Sequence, residues 1–385
     1  MKNLKIILSY ILVAVLSSMV TLSVFCDTPE TEYNKLDELG NLIETYFIGE
    51  ADRAHMEDAA AAAMVDSLGD RWSYYMTAKD YEAYIEQMQN AYVGIGITIT
   101  VAQDESGLEV IKVNEGGPAE EAGMLAGDVI IAVEGQNVTG MDTSAVRDLV
   151  RGKEGTQVLI GVRRGAETLE MSITRKTVET PVAEWKMLDG AIGLVTIYNF
   201  DDRCSDETIA AIESLLELGA QALVFDVRNN PGGYKHELVK VLDYLLPEGP
   251  LFRSEDYRGK VEVDESDAQC LEIPMAVLVN GDSYSAAEFF AAALSEYDAA
   301  IVVGEKTCGK GYFQSSFELQ DKSAVGLSIG KYTTPNGVSL ADVGITPDVE
   351  VAVDDETFTD IYYGYLEPAE DPQIQAAAEL LREIQ

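Results

Sequence analysis

Histidine is nearly absent from this chain of 385 residues, which has two, His55 and His236. Multi-histidine metal sites are thereby nearly excluded. Basic residues are also scarce, 27 Lys and Arg against 67 Asp and Glu, and the formal net charge is −40. A surface of that sign repels phosphate backbones and anionic lipid headgroups, so nucleic acid is excluded as a partner. Cysteine is sparse as well: after Cys26 come only Cys204, Cys270 and Cys308, without Cys-x-x-Cys spacing. Neither a disulfide framework nor a zinc site is indicated, and no metal or cofactor is expected. Long apolar runs are limited to residues 6–25, which Lys2 and Lys5 precede and Asp27, Glu30 and Glu32 follow. That length suits one bilayer crossing, and the basic flank stays inside. It exceeds the roughly 7–15 apolar residues of a cleaved signal peptide, and no Ala-x-Ala-like site follows. Residues 1–26 therefore read as a transmembrane signal-anchor, with a cleaved signal as the alternative, and either way the rest is exported. Lipidation of Cys26 is disfavoured by the bulky Ser-Val-Phe before it.

What is present is the composition of folded domains, 47% hydrophobic and 24% charged, in a chain too long for one ordinary core. Residues 27–90 read as helical. Leu36, Leu39, Ile43, Tyr46 and Phe47 fall at three- and four-residue spacing, five alanines stand in a row before Met64, and Gly69-Asp70 marks a stop. A bracing segment, or one that pairs two copies into a homodimer, is the role expected of it.

From 91 to 176 the pattern changes to short β-type runs between glycines, at 95–101, 108–113, 128–133, 158–162 and 169–173, with helical stretches at 118–122 and 144–151. Tyr92-Val93-Gly94-Ile95-Gly96-Ile, Gly117-Pro-Ala-Glu-Glu-Ala-Gly, Gly127-Asp-Val-Ile and Val133-Glu-Gly, in this order, resemble a PDZ domain. The resemblance implies capture of free, apolar protein carboxyl termini. Backbone N–H groups of the Gly-rich turn at Tyr92, Val93, Gly94, Ile95 and Gly96 would hold the terminal carboxylate while the peptide adds to a sheet edge.

From Pro181 onward strand-like and helix-like stretches alternate, which predicts an α/β core with a largely parallel sheet. Three segments in it carry chemistry. Strand 275–279 ends in Asn-Gly-Asp and leads to Ser283-Tyr-Ser285-Ala-Ala-Glu288, which opens an alanine-rich helix. A serine at such a corner is exposed beside the first helical amides, although Ser285-Ala-Ala-Glu288 also fits a capping box. A serine needs a base. His236 is the one histidine in this half, and Lys310, between Gly309 and Gly311, is the alternative if desolvation lowers its pKa from about 10.4 toward roughly 7–8. A solvated loop lysine reads the same way. The third segment, Asp226-Val-Arg-Asn-Asn-Pro-Gly232-Gly233, follows a strand and precedes a helix, so its amides suit an oxyanion or simply form a tight turn.

Together these segments resemble the carboxyl-terminal processing peptidases. That family shows Arg-Asn-Asn-Pro-Gly-Gly, here 228–233; Asn-x-x-Ser-Ala-Ser-Ala-x-Glu, here 280–288; and Gly-Lys-Gly-x-x-Gln, here 309–314. Tyr-x-Thr-Pro-x-Gly stands at 332–337, Gly-Ile-x-Pro-Asp at 344–348, and 67–75 is similar to its Leu-Gly-Asp-Pro-x-Ser stretch. The resemblance implies a multidomain α/β protein: a signal-anchor at 1–26, a helical region at 27–90, the PDZ domain at 91–176, a ClpP/crotonase-like catalytic core at 177–365 and a helical tail at 366–385. It further implies a serine endopeptidase cleaving exported proteins at or near their carboxyl termini. Ser285 is then the nucleophile, Lys310 the base and Gln314 its orienting partner, with Ser283 the other serine position. Oxyanion amides fall at Gly232 or Gly233 and at Ala286, and no metal or cofactor takes part. Tyr284, where the family has a small residue, and Cys308 depart from the pattern. The rival readings are a non-catalytic PDZ-containing scaffold, which the presence of Ser, Lys and Gln disfavours, and a Ser-His-Asp hydrolase, for which Gly281-Asp-Ser-Tyr-Ser lacks the last glycine of a nucleophile elbow.

Overall fold

Two short helices with side-chain N-caps form the described part of the first of two units, Met1–Gly69. The computed structural model describes residues 34–102, 104 and 106–384, so the apolar segment at 1–26 lies outside the described residues. Among the described residues no helix is long and apolar enough to cross a membrane. Helix α1 (Lys35–Tyr46) begins where Asn34 Oδ1 accepts from Leu36 N at 3.1 Å, and α2 (Arg53–Asp66) where Asp52 accepts from Ala54 N at 3.0 Å. Arg53 joins them, reaching Asp37 at 3.0 Å and Glu57 at 2.7 Å. Leu36, Leu39, Leu42, Tyr46, Phe47 and Ile48 remain exposed.

The second unit, Asp70–Gln385, opens with strand β1 (Tyr74–Met76), helix α3 (Ala78–Met88) and strand β2 (Ala91–Gly94). A β-domain follows: β3 (Ile97–Val101), β4 (Leu108–Val113), α4 (Pro118–Glu121), β5 (Val129–Val133), β6 (Gln136–Asn137), α5 (Thr143–Val150), β7 (Gln157–Arg164) and β8 (Glu167–Thr174). Its sheet runs β3-β4-β5-β7-β8, with β6 on β5. Val158, Ile160 and Val162 point inward from β7 against Leu108, Val110, Val133 and Val146, the period-two burial that the apolar alternation calls for. Strand β9 (Lys176–Glu179) then pairs antiparallel with β2, Ala91 opposite Glu179 and Gly94 opposite Lys176. The chain thus enters and leaves this domain through one two-stranded ribbon.

The remaining elements are β10 (Ala183–Leu188), β11 (Ile192–Ile197), α6 (Cys204–Glu217), β12 (Ala222–Asp226), α7 (Lys235–Leu245), β13 (Gly249–Asp256), β14 (Val261–Ser266), β15 (Met275–Val279), α8 (Ala286–Glu296), β16 (Ala300–Gly304), β17 (Tyr312–Glu318), β18 (Ala324–Thr333), β19 (Val349–Glu350), α9 (Asp355–Tyr362) and α10 (Pro372–Ile384). A six-stranded sheet, β10-β11-β12-β15-β16-β19, is parallel from β11 onward, with β10 an antiparallel edge. Every residue of β12 and β15 is buried, as a sheet covered on both faces requires. Val195, Ile197, Leu223, Phe225, Val277 and Val279 pack on α6, α7 and α8. On the other face Leu194, Val224, Ala276 and Leu278 meet Ile374, Ala377, Ala378 and Leu381 of α10, so the helix expected as a tail is the cover of the sheet.

A second, antiparallel sheet was not foreseen: β1-β18-β13-β14, with β17 also on β18. It brings Tyr74, opposite Gly326, into the body of the core, so the region at 70–90 is not purely helical.

Candidate active site

Neighbouring parallel strands β12 and β15 run in register, Phe225 opposite Val277, and their carboxyl ends open on one edge, where α/β sheets place their chemistry. The turns that follow are stitched to each other. Asn229 N donates to Asn280 Oδ1 at 3.0 Å, and Asn280 Nδ2 donates to Asn229 Oδ1 at 2.8 Å. Ser283 lies wholly buried between them; its hydroxyl donates to Val227 O at 2.8 Å and accepts from Asn280 N at 3.0 Å. Arg228 anchors the turn from below, bound to Asp226, to Asp371 at 2.8 Å and to Gln373 Oε1 at 2.8 Å. Both carboxylates hold its guanidinium above its ordinary pKa despite burial.

Ser285 is the N-cap of α8, with φ 59° and ψ −125°, a region sparsely populated by residues with a side chain. The capping reading is therefore true in part: Ser285 N donates to Glu288 Oε2 at 3.1 Å. The hydroxyl, however, faces a cleft of about 630 Å³, where it accepts from Tyr332 OH at 3.2 Å. Tyr332 is buried, its ring edge-on to Phe289 at 4.4 Å between centroids, and burial pushes its pKa up. Gly232, at φ 91°, backs the serine; a Cβ there would lie 2.7 Å from Ser285 Cβ and 2.8 Å from Ala286 N.

Glu288 ties helix α8 to the loop that carries Lys310. Fully buried, it accepts from Gly309 N at 2.7 Å, Lys310 N at 2.9 Å and the Thr307 hydroxyl. Burial raises its pKa and these donors oppose the rise. Lys310 lines the same cleft as Ser285. Its Nζ lies 4.9 Å from the Trp72 ring centroid and 5.9 Å from that of Tyr284, and it forms no ion pair among the described residues. Desolvation by these walls lowers its pKa to about 8, against smaller upward pulls from Cys308, Glu288 and Asp70. Gln314 also lines the cleft, but its Nε2 donates to Tyr312 O at 3.1 Å and Ser328 Oγ at 3.0 Å.

Of the glycine-turn amides, Gly232 N is engaged by Asn230 Oδ1 at 2.8 Å. Those of Gly233 and Ala286 donate to no described group. His236 is not among the cleft residues; it stacks on Tyr234 and reaches Glu237 at 3.2 Å. In the β-domain Tyr92, Val93 and Gly94 belong to β2 and pair with β9. Ile95 and Gly96 lie beyond the ribbon, their carbonyls accepting from Ala119 and Asn114 while their N–H groups donate to no described group. They lead into β3, the free edge of the sheet. Sequence reading missed Tyr332 and Trp72 as members of the site, although both lie in segments that were read for other reasons.

Residues 191–351 match the model of peptidase family S41, and residues 109–164 that of a PDZ domain. The carboxy-terminal processing protease CtpA of Bacillus subtilis (strain 168) is 30% identical over 367 residues, 92% of this chain and 78% of that protein. A CtpA-like serine protease of Staphylococcus aureus (strain COL) is 31% identical over 328 residues, 84% of this chain and 66% of that protein, so this chain spans about two thirds of the staphylococcal relative's length. The crystal structure of an S41 protease from Bacteroides fragilis NCTC 9343 shares the fold, with a TM-score of 0.55 at 18% identity over 93% of this chain and 99% of that one.

Proposed function

The chain belongs to the carboxy-terminal processing proteases of peptidase family S41 and is a serine-type peptidase, and from that premise we propose that it cleaves protein substrates at or near their carboxyl termini with a Ser285–Lys310 dyad. The observation that carries this reading is a lysine without an ion pair among the described residues, desolvated to a pKa of about 8, in the cleft onto which a backbone-strained serine opens. Neutral Lys310 takes the Ser285 proton as Oγ attacks the scissile carbonyl, and the resulting ammonium protonates the departing amine. The lysine, neutral again, then takes a proton from the water that hydrolyses the acyl-enzyme. The free amides of Gly233 and Ala286 suit the oxyanion, whereas that of Gly232 is occupied. Ser283 is disfavoured because its hydroxyl is spent within the turn, and His236 because it stands away from the cleft.

The reading requires Lys310 to swing from the Trp72 ring to Ser285, and Gln314 to exchange Ser328 for the lysine. A flexible four-carbon stem permits the first movement. In the β-domain the free Ile95 and Gly96 amides beside an open β3 edge favour capture of a substrate's terminal carboxylate and last residues by strand addition. The apolar segment at 6–25 with its basic flank supports a membrane anchor and an extracytoplasmic body. The exposed apolar face of α1 favours pairing with a second copy.

A serine-directed phosphonate probe tests the dyad. Mass spectrometry should locate the adduct on Ser285 and find labelling lost in Lys310→Ala; an adduct on Ser283 would overturn the assignment.

A further inference from the structure

Among the described residues, Asp201 is a carboxylate without a partner at a place where burial makes that costly. It lies in the loop between β11 and α6, is 4% exposed, and its Oδ1 is buried with no hydrogen bond. Only its backbone is tied, Asp201 N donating to Asn199 Oδ1 at 2.9 Å. The carboxyl lies against the oxyanion turn: a Cβ on Gly233 would come within 2.6 Å of Oδ1. It also lines the cleft that holds Ser285 and Lys310. The groups facing it supply no cation. Asp202 from its own loop, Tyr84 from α3, Tyr234 from the turn before α7 and Cys204 from the start of α6 are acidic or neutral. Lys235, which lines the same cleft, is taken by Asp264 at 2.9 Å and Glu262 at 3.7 Å, and Arg203 in the same loop by Glu179 at 2.9 Å and Glu207 at 3.3 Å. An unpaired buried carboxylate subtracts from stability, and a chain keeps one where something other than folding uses it.

We propose that Asp201 is a specificity residue that receives a lysine or arginine side chain of the substrate at a position next to the scissile bond. The missing partner must be a donor, and the overall charge of −40 draws basic segments toward the cleft. A cation arriving there restores the pairing that the fold leaves open, next to the amides on which the carbonyl is to be held. Burial, with a smaller contribution from Asp202, raises the carboxyl pKa to about 7. Ionised Asp201, and with it the preference for basic residues, is therefore gained as pH rises through about 7. This inference rests on the peptidase reading of the cleft.

The full chain is incubated with a defined peptide library, and mass spectrometry gives kcat/KM for matched peptides carrying Lys or its neutral isostere Met at each position near the cleaved bond. In the wild type one position should favour Lys, more strongly at pH 8 than at pH 6. In Asp201→Asn and Asp201→Ser that ratio should fall roughly ten- to hundredfold, while melting temperature stays equal or rises. Absence of a Lys preference in the wild type, an unchanged ratio in both variants, or a uniform loss on all peptides with a lowered melting temperature would overturn the proposal. Failure of the peptidase reading itself looks different: the wild type cleaves nothing, or Ser285→Ala cleaves as well as the wild type.

Discussion

A lysine works as a base only in its neutral form, and burial in the cleft shifts Lys310 toward that form. With a pKa of about 8, roughly a tenth of the molecules carry the free amine at pH 7, so cleavage should rise with pH to a plateau above that value. Lys310→Arg, always charged, should be inactive at every pH in this range. Trp72→Ala admits water and raises the lysine pKa, which moves the rising limb to higher pH and lowers the rate at pH 7. Loss of the ring's attraction for the ammonium, about 0.5–1 kcal/mol, works the other way. Desolvation wins, because the pKa already lies below 10.5 with the ring in place. A limb that stays put in Trp72→Ala would contradict this cause. Ser283→Ala removes a buried hydroxyl that holds Val227 O. It should cost about 1–3 kcal/mol in denaturant unfolding without abolishing cleavage.

At the scale of elements, the site depends on two turns held by groups far away in sequence. Arg228 joins Asp226 to Asp371 and Gln373 at the start of α10, so Arg228→Ala leaves two carboxylates buried without a cation. The expected loss is about 3–5 kcal/mol, read from the denaturation midpoint. Deleting residues 366–385 should unfold the core, since it uncovers the face of Leu194, Val224, Ala276 and Leu278; a deletion that keeps the wild-type melting temperature would refute the packing described. The sequence made the local parts of this arrangement legible. Glycine turns, strand ends and the Ser285 corner are each written within about ten residues, so fold class and the positions now facing the cleft could be read. The second sheet was not, because β17 and β18 are half-exposed strands with a register shift at Phe313 and Gln314, and the pairing of β18 with β1 is long-range. Tyr332 meets Ser285 across 47 residues, and Arg71, beside Trp72, meets Cys308 across 237, distances at which spacing carries no signal. The stripe Ile374, Ala377, Ala378 and Leu381 follows helical i, i+3, i+4, i+7 spacing and could have revealed that α10 covers the sheet.

At the scale of the whole molecule, the β-domain hangs between α3 and the core on the ribbon of β2 and β9. Such an insertion suits control of access to Ser285 as well as tethering of substrate. If it controls access, a peptide with a free apolar carboxyl terminus should bind and change cleavage of a separate reporter that it does not resemble. If it only tethers, the same peptide should act as a simple competitor. Reporter cleavage that is indifferent both to saturating peptide and to deletion of residues 91–176 would exclude both roles. All of this presupposes that Ser285 and Lys310 act as one chemical unit, and the most direct test is cleavage of a disordered protein by the full chain, followed by mass spectrometry. Ser285→Ala and Lys310→Ala should each lose on the order of 10⁴-fold in rate, with folding retained and the double variant no worse than either single one. Cleavage that survives in Ser285→Ala, or a double variant that falls well below both singles, would contradict the account.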